Sequence, residues 1–227
     1  MADIRRVREM LEPLARHSDP DVRDRVAAVM RLLESAPEPA GLIPAHGDYR
    51  KLASYIVAEI VFDATLVFCE RFVDPRSRTY DQMVQAARSG KQNIAEGSMV
   101  SGTSKKSELK LTGVARGSLE ELLRDYEDYL RNHKLPLWGK THPKAQAVRA
   151  LARAENRSYG TYETYVKDGT PEVAANTIIC LIHQANFLID RQLKALDRAF
   201  LENGGFTERL YRMRTDYRQS KQRGTEA

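Results

Sequence analysis

QMVQAARSGKQNIAEG, Gln82 to Gly97, and SKKSELKLTGVARGSLEELL, Ser104 to Leu123, decide the fold between them. In the first stretch Met83, Ala86, Ala87, Gly90 and Ile94 recur at helical spacing, which predicts a helix over about 79–96. Gly97 is expected to end it, with GSMVSGTS as the turn, because glycine accepts the left-handed conformation that closes many helices. Thr103 or Ser104 then offers a side-chain oxygen to the first free amides of a helix reaching about His133. Leu111, Val114, Ser118, Leu122, Tyr126 and Tyr129 form its expected inner stripe. Gly113 and Gly117 lie four apart, with Ala115 and Ser118 nearby; they lower helix propensity and permit close backbone approach.

Working outward, 48–73 reads as the preceding long helix. Leu52, Ile56, Ile60, Ala64 and Val67 make one stripe, and Val57, Val61, Phe68 and Phe72 a second beside it. Two stripes are more than one bundle face needs, so the helix is either buried on a wide face or makes a core contact plus a subunit contact. Downstream, Thr170-Pro171-Glu172 starts a helix that Gly204-Gly205 stops, with Ile178, Leu181, Ala185, Leu188, Gln192 and Leu196 as its seam. No proline interrupts 76–135 or 172–227, where long helices must run. No alternating strand pattern competes. The expected fold is all-α: an up-down four-helix bundle over 48–203, a helical prefix and linker over 1–47, and a basic suffix helix over 204–227. Within the bundle, 134–170 is an insertion between the third and fourth helices, with one helix after Pro143 and a tyrosine set, Tyr159, Tyr162 and Tyr165, suited to packing. The prefix divides into helices at about 3–17 and 20–35, and 37–47 is a linker by composition.

The 227 residues are 42% hydrophobic and 30% charged, a balance that excludes wholesale disorder and gives no expectation of membrane insertion. The start, MADIRRVREMLE, lacks an apolar export stretch, and Cys69 and Cys180 stand alone in apolar segments; together they suggest a reduced, cytoplasmic setting. Formal charge is +5, and its whole basic excess falls after residue 133.

Chemistry-bearing constellations are scarce. Asn93 and Glu96 share a helical face but have no local histidine or second carboxylate, so they read as structural, bonded to Arg88, Arg116 or the next helix's start. His17, His46, His133, His142 and His183 lack metal-ligand spacing, and no phosphate loop or nucleophile motif is present. The expectation is a non-enzyme with no catalytic residue, metal or cofactor. The charge pattern suggests more. In an up-down bundle one end gathers Arg50, Lys51, Arg88, Lys91, Lys105, Lys106, Lys110, Arg191, Lys194 and Arg198, and the suffix would add Arg209, Arg212, Arg214, Arg218, Lys221 and Arg223 there. With acids counted, that end sums to +8 and the opposite end to −5. Concentrated bases neutralise phosphates, and Tyr211, interleaved with arginines, offers a ring for a base to stack on. The alternative is a solvated helix whose Leu210, Met213 and Tyr217 dock on the protein.

The two opening stretches also resemble the signature of a bacterial four-helix bundle family. That family includes proteins encoded in intervening sequences of large-subunit ribosomal RNA genes and accessory variability proteins of diversity-generating retroelements. Asn93, Glu96, Gly97, Gly117, Ser118 and Glu121 carry the likeness, and QLKALDRAFLENGGFTERLYRMR is similar to a subfamily's C-terminal extension. Gln85, where arginine is common, and the 134–170 insertion depart from it. The resemblance implies a homo-oligomer, a pentamer by analogy, that binds RNA or single-stranded DNA beside a reverse transcriptase or another RNA-handling protein. A protein–protein scaffold without nucleic-acid affinity is the competing expectation.

Overall fold

A computed structural model describes residues 4–35, 47–154 and 156–223. Among them are eight α-helices and no strand: α1 Ile4–Leu11, α2 Pro20–Ser35, α3 Ala53–Phe72, α4 Arg78–Val100, α5 Lys105–Asn132, α6 Pro143–Ala150, α7 Pro171–Asn203 and α8 Phe206–Arg223. Most of the 37–47 linker lies outside the described residues. The chain forms two compact units. Residues 45–206 make the larger; 1–44 and 207–227, the expected prefix and suffix, group together in the smaller.

Local chemistry sets the helix ends. Ser77 accepts from the Tyr80 amide, Ser104 from the Ser107 amide, and Thr170 from the Val173 amide ahead of Pro171. Gly204, at φ 71°, closes α7 in a conformation that L side chains avoid. Gly97 does not end α4. The helix continues to Val100, and Gly97 is buried within it, where a Cβ would lie 3.3 Å from the Glu108 carbonyl oxygen. The helix before it starts later than the sequence suggested, since 49–51 form a single 3₁₀ turn ahead of Ala53.

In the larger unit α3 packs against α4 and α7, and α5 packs against the same two helices. Neighbours run antiparallel. Ser54, early in α3, donates to Gln192, late in α7, at 2.6 Å, while Arg71 at the other end donates to the Val166 and Gly169 carbonyls. Gly90 and Gly97 of α4 meet Leu119 and Glu108 of α5, and Arg116 and Glu120 of α5 meet Asp190 and Asn186 of α7.

The core is continuous across these helices. Phe68 packs edge-on to Tyr126 and Tyr129, each at 4.9 Å, and the Tyr126 hydroxyl donates to Thr65 Oγ1 at 3.1 Å. Thr65 in turn donates to the Val61 carbonyl, so this buried polar pair is satisfied. No residue of α3 from Ser54 to Cys69 is exposed. The turns at 159–161 and 164–168 pack against it, and Val57, Val61 and Phe68 of the second apolar stripe are buried, as a wide buried face requires. Tyr162 is fully buried and Tyr159 and Tyr165 pack on the core, so the tyrosine set is packing.

The insertion is fastened through Trp138. Its backbone amide donates to Asn176 Oδ1 at 2.7 Å and its indole to Glu172 at 2.8 Å; Asn176 Nδ2 donates back to the Pro136 carbonyl. The His142 ring stacks on the indole at 4.9 Å.

The inner stripe of α5 keeps the expected Ser118, Leu122 and Tyr126 but elsewhere lies one position on from the one expected. Thr112, Ala115, Leu119, Leu122, Tyr126 and Leu130 are buried, while Val114 is 43% exposed. The helical run Pro171–Gln219 contains an 18-residue window with mean hydropathy 1.3, long and apolar enough to cross a membrane. Of that window 67% is buried within the protein, as in a core helix.

Candidate nucleic-acid interface

The most basic element is α8. Over 206–223 it carries six arginines and lysines against two acids. Leu210 and Met213 are half-buried, but Tyr211 is 73% and Tyr217 70% exposed. Tyr217 therefore does not share an inward face with Leu210 and Met213, contrary to the docking alternative. Tyr211, Arg214 and Arg218 are spaced three and four apart, which places them on one helical stripe. They line a groove of about 300 Å³ with Thr207, Leu210 and Thr215. The Thr215 hydroxyl donates to the Tyr211 carbonyl at 2.9 Å. Arg209 is half-buried and Arg212 exposed; the Lys221 side chain lies outside the described residues.

The bases expected at one bundle end divide. Lys106 and Lys110 project from the start of α5 and are exposed. Lys105 is paired with the buried carboxylate of Glu108 at 2.8 Å. Lys91 is not at the end: its ammonium lies over the Phe62 ring, 4.2 Å from the centroid, beside α3. Lys91 and Arg88 precede the end of α4 by nine and twelve residues, or roughly 13–18 Å along the axis. What remains at that end is eight bases, Arg50, Lys51, Lys105, Lys106, Lys110, Arg191, Lys194 and Arg198, facing six acids, Asp48, Glu96, Glu108, Asp190, Asp197 and Glu202. Two of the bases are already paired, Lys51 to Asp48 and Lys105 to Glu108. The end of the larger unit is thus close to neutral, and the expected +8 depended on α8, which belongs to the other unit.

Of the signature residues, Gly97 and Ser118 lie at the contact of α4 with α5, while Gly117 and Glu121 are exposed. Asn93 donates to the Ser89 carbonyl and hydroxyl, and Ser89 shares a 2.9 Å hydrogen bond with Ser118. Arg116, an expected partner of Asn93 and Glu96, instead binds Glu120 at 2.6 Å and Asp190 at 3.2 Å. The close-approach glycines are Gly90 and Gly97. At Gly113 and Gly117 no described residue outside the helix's own turn lies within 4 Å of where a Cβ would sit, although each costs a helix about 0.5–1 kcal/mol relative to alanine.

Between α4 and α5 an open cleft of about 740 Å³ is lined by Arg78, Asp81, Gln82, Gln85, Glu121 and Asp125, with Ser89 and Ser118 also lining it. Burial, then the neighbouring Asp128 and Glu121, raise the Asp125 carboxyl above the usual carboxylate range. Elsewhere, burial pushes the Cys69 thiol up to about 12 and lowers His183 despite nearby Glu127. Among the described residues no group of three His, Cys, Asp or Glu side chains is placed to hold a metal ion.

No family model, curated protein or solved structure matches the chain.

Proposed function

We propose that this protein is a non-enzymatic, cytoplasmic, oligomeric adapter that binds RNA or single-stranded DNA through α8. The observation that carries the reading is the exposed Tyr211 ring on one stripe with Arg214 and Arg218, on a helix with six bases and two acids. Guanidinium groups neutralise phosphates with release of counterions, and an exposed aromatic ring accepts a base of any identity, so the binding is salt-sensitive and tolerant of sequence. The larger unit is the scaffold. Its four long helices, each packed against two antiparallel neighbours, support an up-down four-helix bundle with 134–170 as an insertion. The resemblance of 82–97 and 104–123 to the bacterial bundle family supports an accessory role beside a reverse transcriptase or another RNA-handling protein, an analogy of fold.

Replacing Tyr211, Arg214 and Arg218 by alanine in the full chain tests this. Anisotropy of a labelled single-stranded RNA should report at least a tenfold loss of affinity with helicity unchanged, and equal affinity would remove α8 from the function. A protein scaffold is the second reading, favoured by the exposed Phe187 and Val114 on the larger unit. It predicts no RNA binding at physiological salt.

A further inference from the structure

One face of α5 has no partner among the described residues. Lys106, Lys110, Gly113, Val114, Gly117 and Glu121 are all exposed and fall within about 100° of the helix circumference. The order of charge along this face is self-complementary. Lys110 and Glu121 are equidistant from a midpoint between Ala115 and Arg116, and so are Lys106 and Asp125. The separations are about 8 Å and 14 Å on either side of that midpoint. Gly113 and Gly117 straddle it with open space above them. A helix with lysines toward its start, a bare centre and carboxylates toward its end matches an antiparallel copy of itself. Turned end for end about the midpoint, Lys106 and Lys110 each face a carboxylate.

We propose that α5 is the seam of a two-fold dimer in which two copies of α5 cross antiparallel at Gly113 and Gly117. Lys106 and Lys110 of each copy enter the acidic cleft that Asp81, Glu121 and Asp125 line on the other. Such a contact is isologous, so each favourable pair is made twice. The bare glycines let the two backbones approach closely, which gives these residues the role that the packing of a single chain does not. The cleft explains the lysines' destination. Burial, then the neighbouring Asp128 and Glu121, raise the Asp125 carboxyl, and an ammonium group from a second copy in the cleft favours its charged form. The dimer stands independently of RNA binding by α8. It withdraws Lys106 and Lys110 from any nucleic-acid surface and leaves the smaller unit to do that work.

Light scattering and sedimentation of the full chain across the micromolar range give the test. The wild type should have the mass of two chains, against 25.8 kDa for one. Gly117→Leu should raise the dimer dissociation constant at least tenfold with helicity intact, since leucine is the better helix former and a Cβ there has open space among the described residues. Lys110→Glu and Glu121→Lys should each weaken self-association, and mixing the two variants should restore a dimer, because the heterodimer regains both lysine–carboxylate contacts, one with its signs exchanged and one native. A wild type that is monomeric throughout, or a ring of five, overturns the proposal. So does a Gly117→Leu chain with wild-type mass, or a mixture that remains monomeric.

Discussion

Gly90 offers the sharpest test of how α4 and α5 meet. A Cβ added there would lie 2.7 Å from Leu119 Cδ2 and 2.8 Å from its Cγ, and Leu119 is fully buried. Gly90→Ala gains about 1 kcal/mol of helix propensity but forces a packed core side chain to move, at about 1–3 kcal/mol. The net effect is a loss of up to about 2 kcal/mol. Leu119→Ala alone should cost about 2–5 kcal/mol. In that background the space is free, and Gly90→Ala should become stabilising by about 1 kcal/mol. The double-mutant cycle therefore predicts a coupling of about 1–3 kcal/mol, read from urea denaturation. Gly113→Ala, at a site with open space, should stabilise by about 0.5–1 kcal/mol when measured too dilute for association. Additive effects of Gly90 and Leu119, or equal gains at Gly90 and Gly113, would refute the close approach of the two helices at this point.

Three further outcomes follow from the same packing. Asn176→Ala should destabilise the larger unit by about 2–4 kcal/mol by stranding the Trp138 amide and the Pro136 carbonyl; limited proteolysis should then cut within 134–170 first. Because the Asp125 carboxyl is raised in the folded state, folding takes up a proton there. Stability should rise as pH falls from neutrality toward the ordinary carboxylate range, and Asp125→Asn should flatten that rise in thermal melts at several pH values. Cys69 and Cys180 are buried with raised pKa, so a thiol reagent at neutral pH should label them only after denaturation, and rapid labelling of the native protein would contradict the core described.

How much of this was legible in the sequence depended on how local the signal was. Ser104, Thr170-Pro171 and Gly204 act on their own backbone, so the helix ends they set could be read without knowing any neighbour. Gly97 could not. A glycine that ends a helix and one that admits a neighbouring helix look alike until Glu108 is placed against it. The same blindness assigned close approach to Gly113 and Gly117, whereas Gly97 and Gly90, which was on the expected inward stripe, have it. On α5 the periodicity was correct, but Leu111-Val114-Ser118 and Thr112-Ala115-Leu119 fit it equally well, and only the position of the neighbouring helices selects the second. Trp138 and Asn176 are 38 residues apart, and no spacing rule joins them. The stripe of Tyr211, Arg214 and Arg218 was readable because it depends on helical spacing alone. The grouping of bases at one bundle end was not, because Phe62 draws Lys91 to the side of α3 and α8 belongs to the smaller unit.

The central claim is that α8 binds single-stranded nucleic acid by neutralising phosphates, and the salt dependence of that binding tests it most directly. Titrating the full chain into a labelled, unstructured RNA at a series of salt concentrations gives the slope of log K against log salt. With a net of four positive charges on α8, the slope should be about −3, given about −0.7 per neutralised phosphate on a single strand. It should approach zero when Arg214 and Arg218 are replaced together with Arg209 and Arg212. No binding at low salt, or a slope unchanged by those substitutions, would contradict the account.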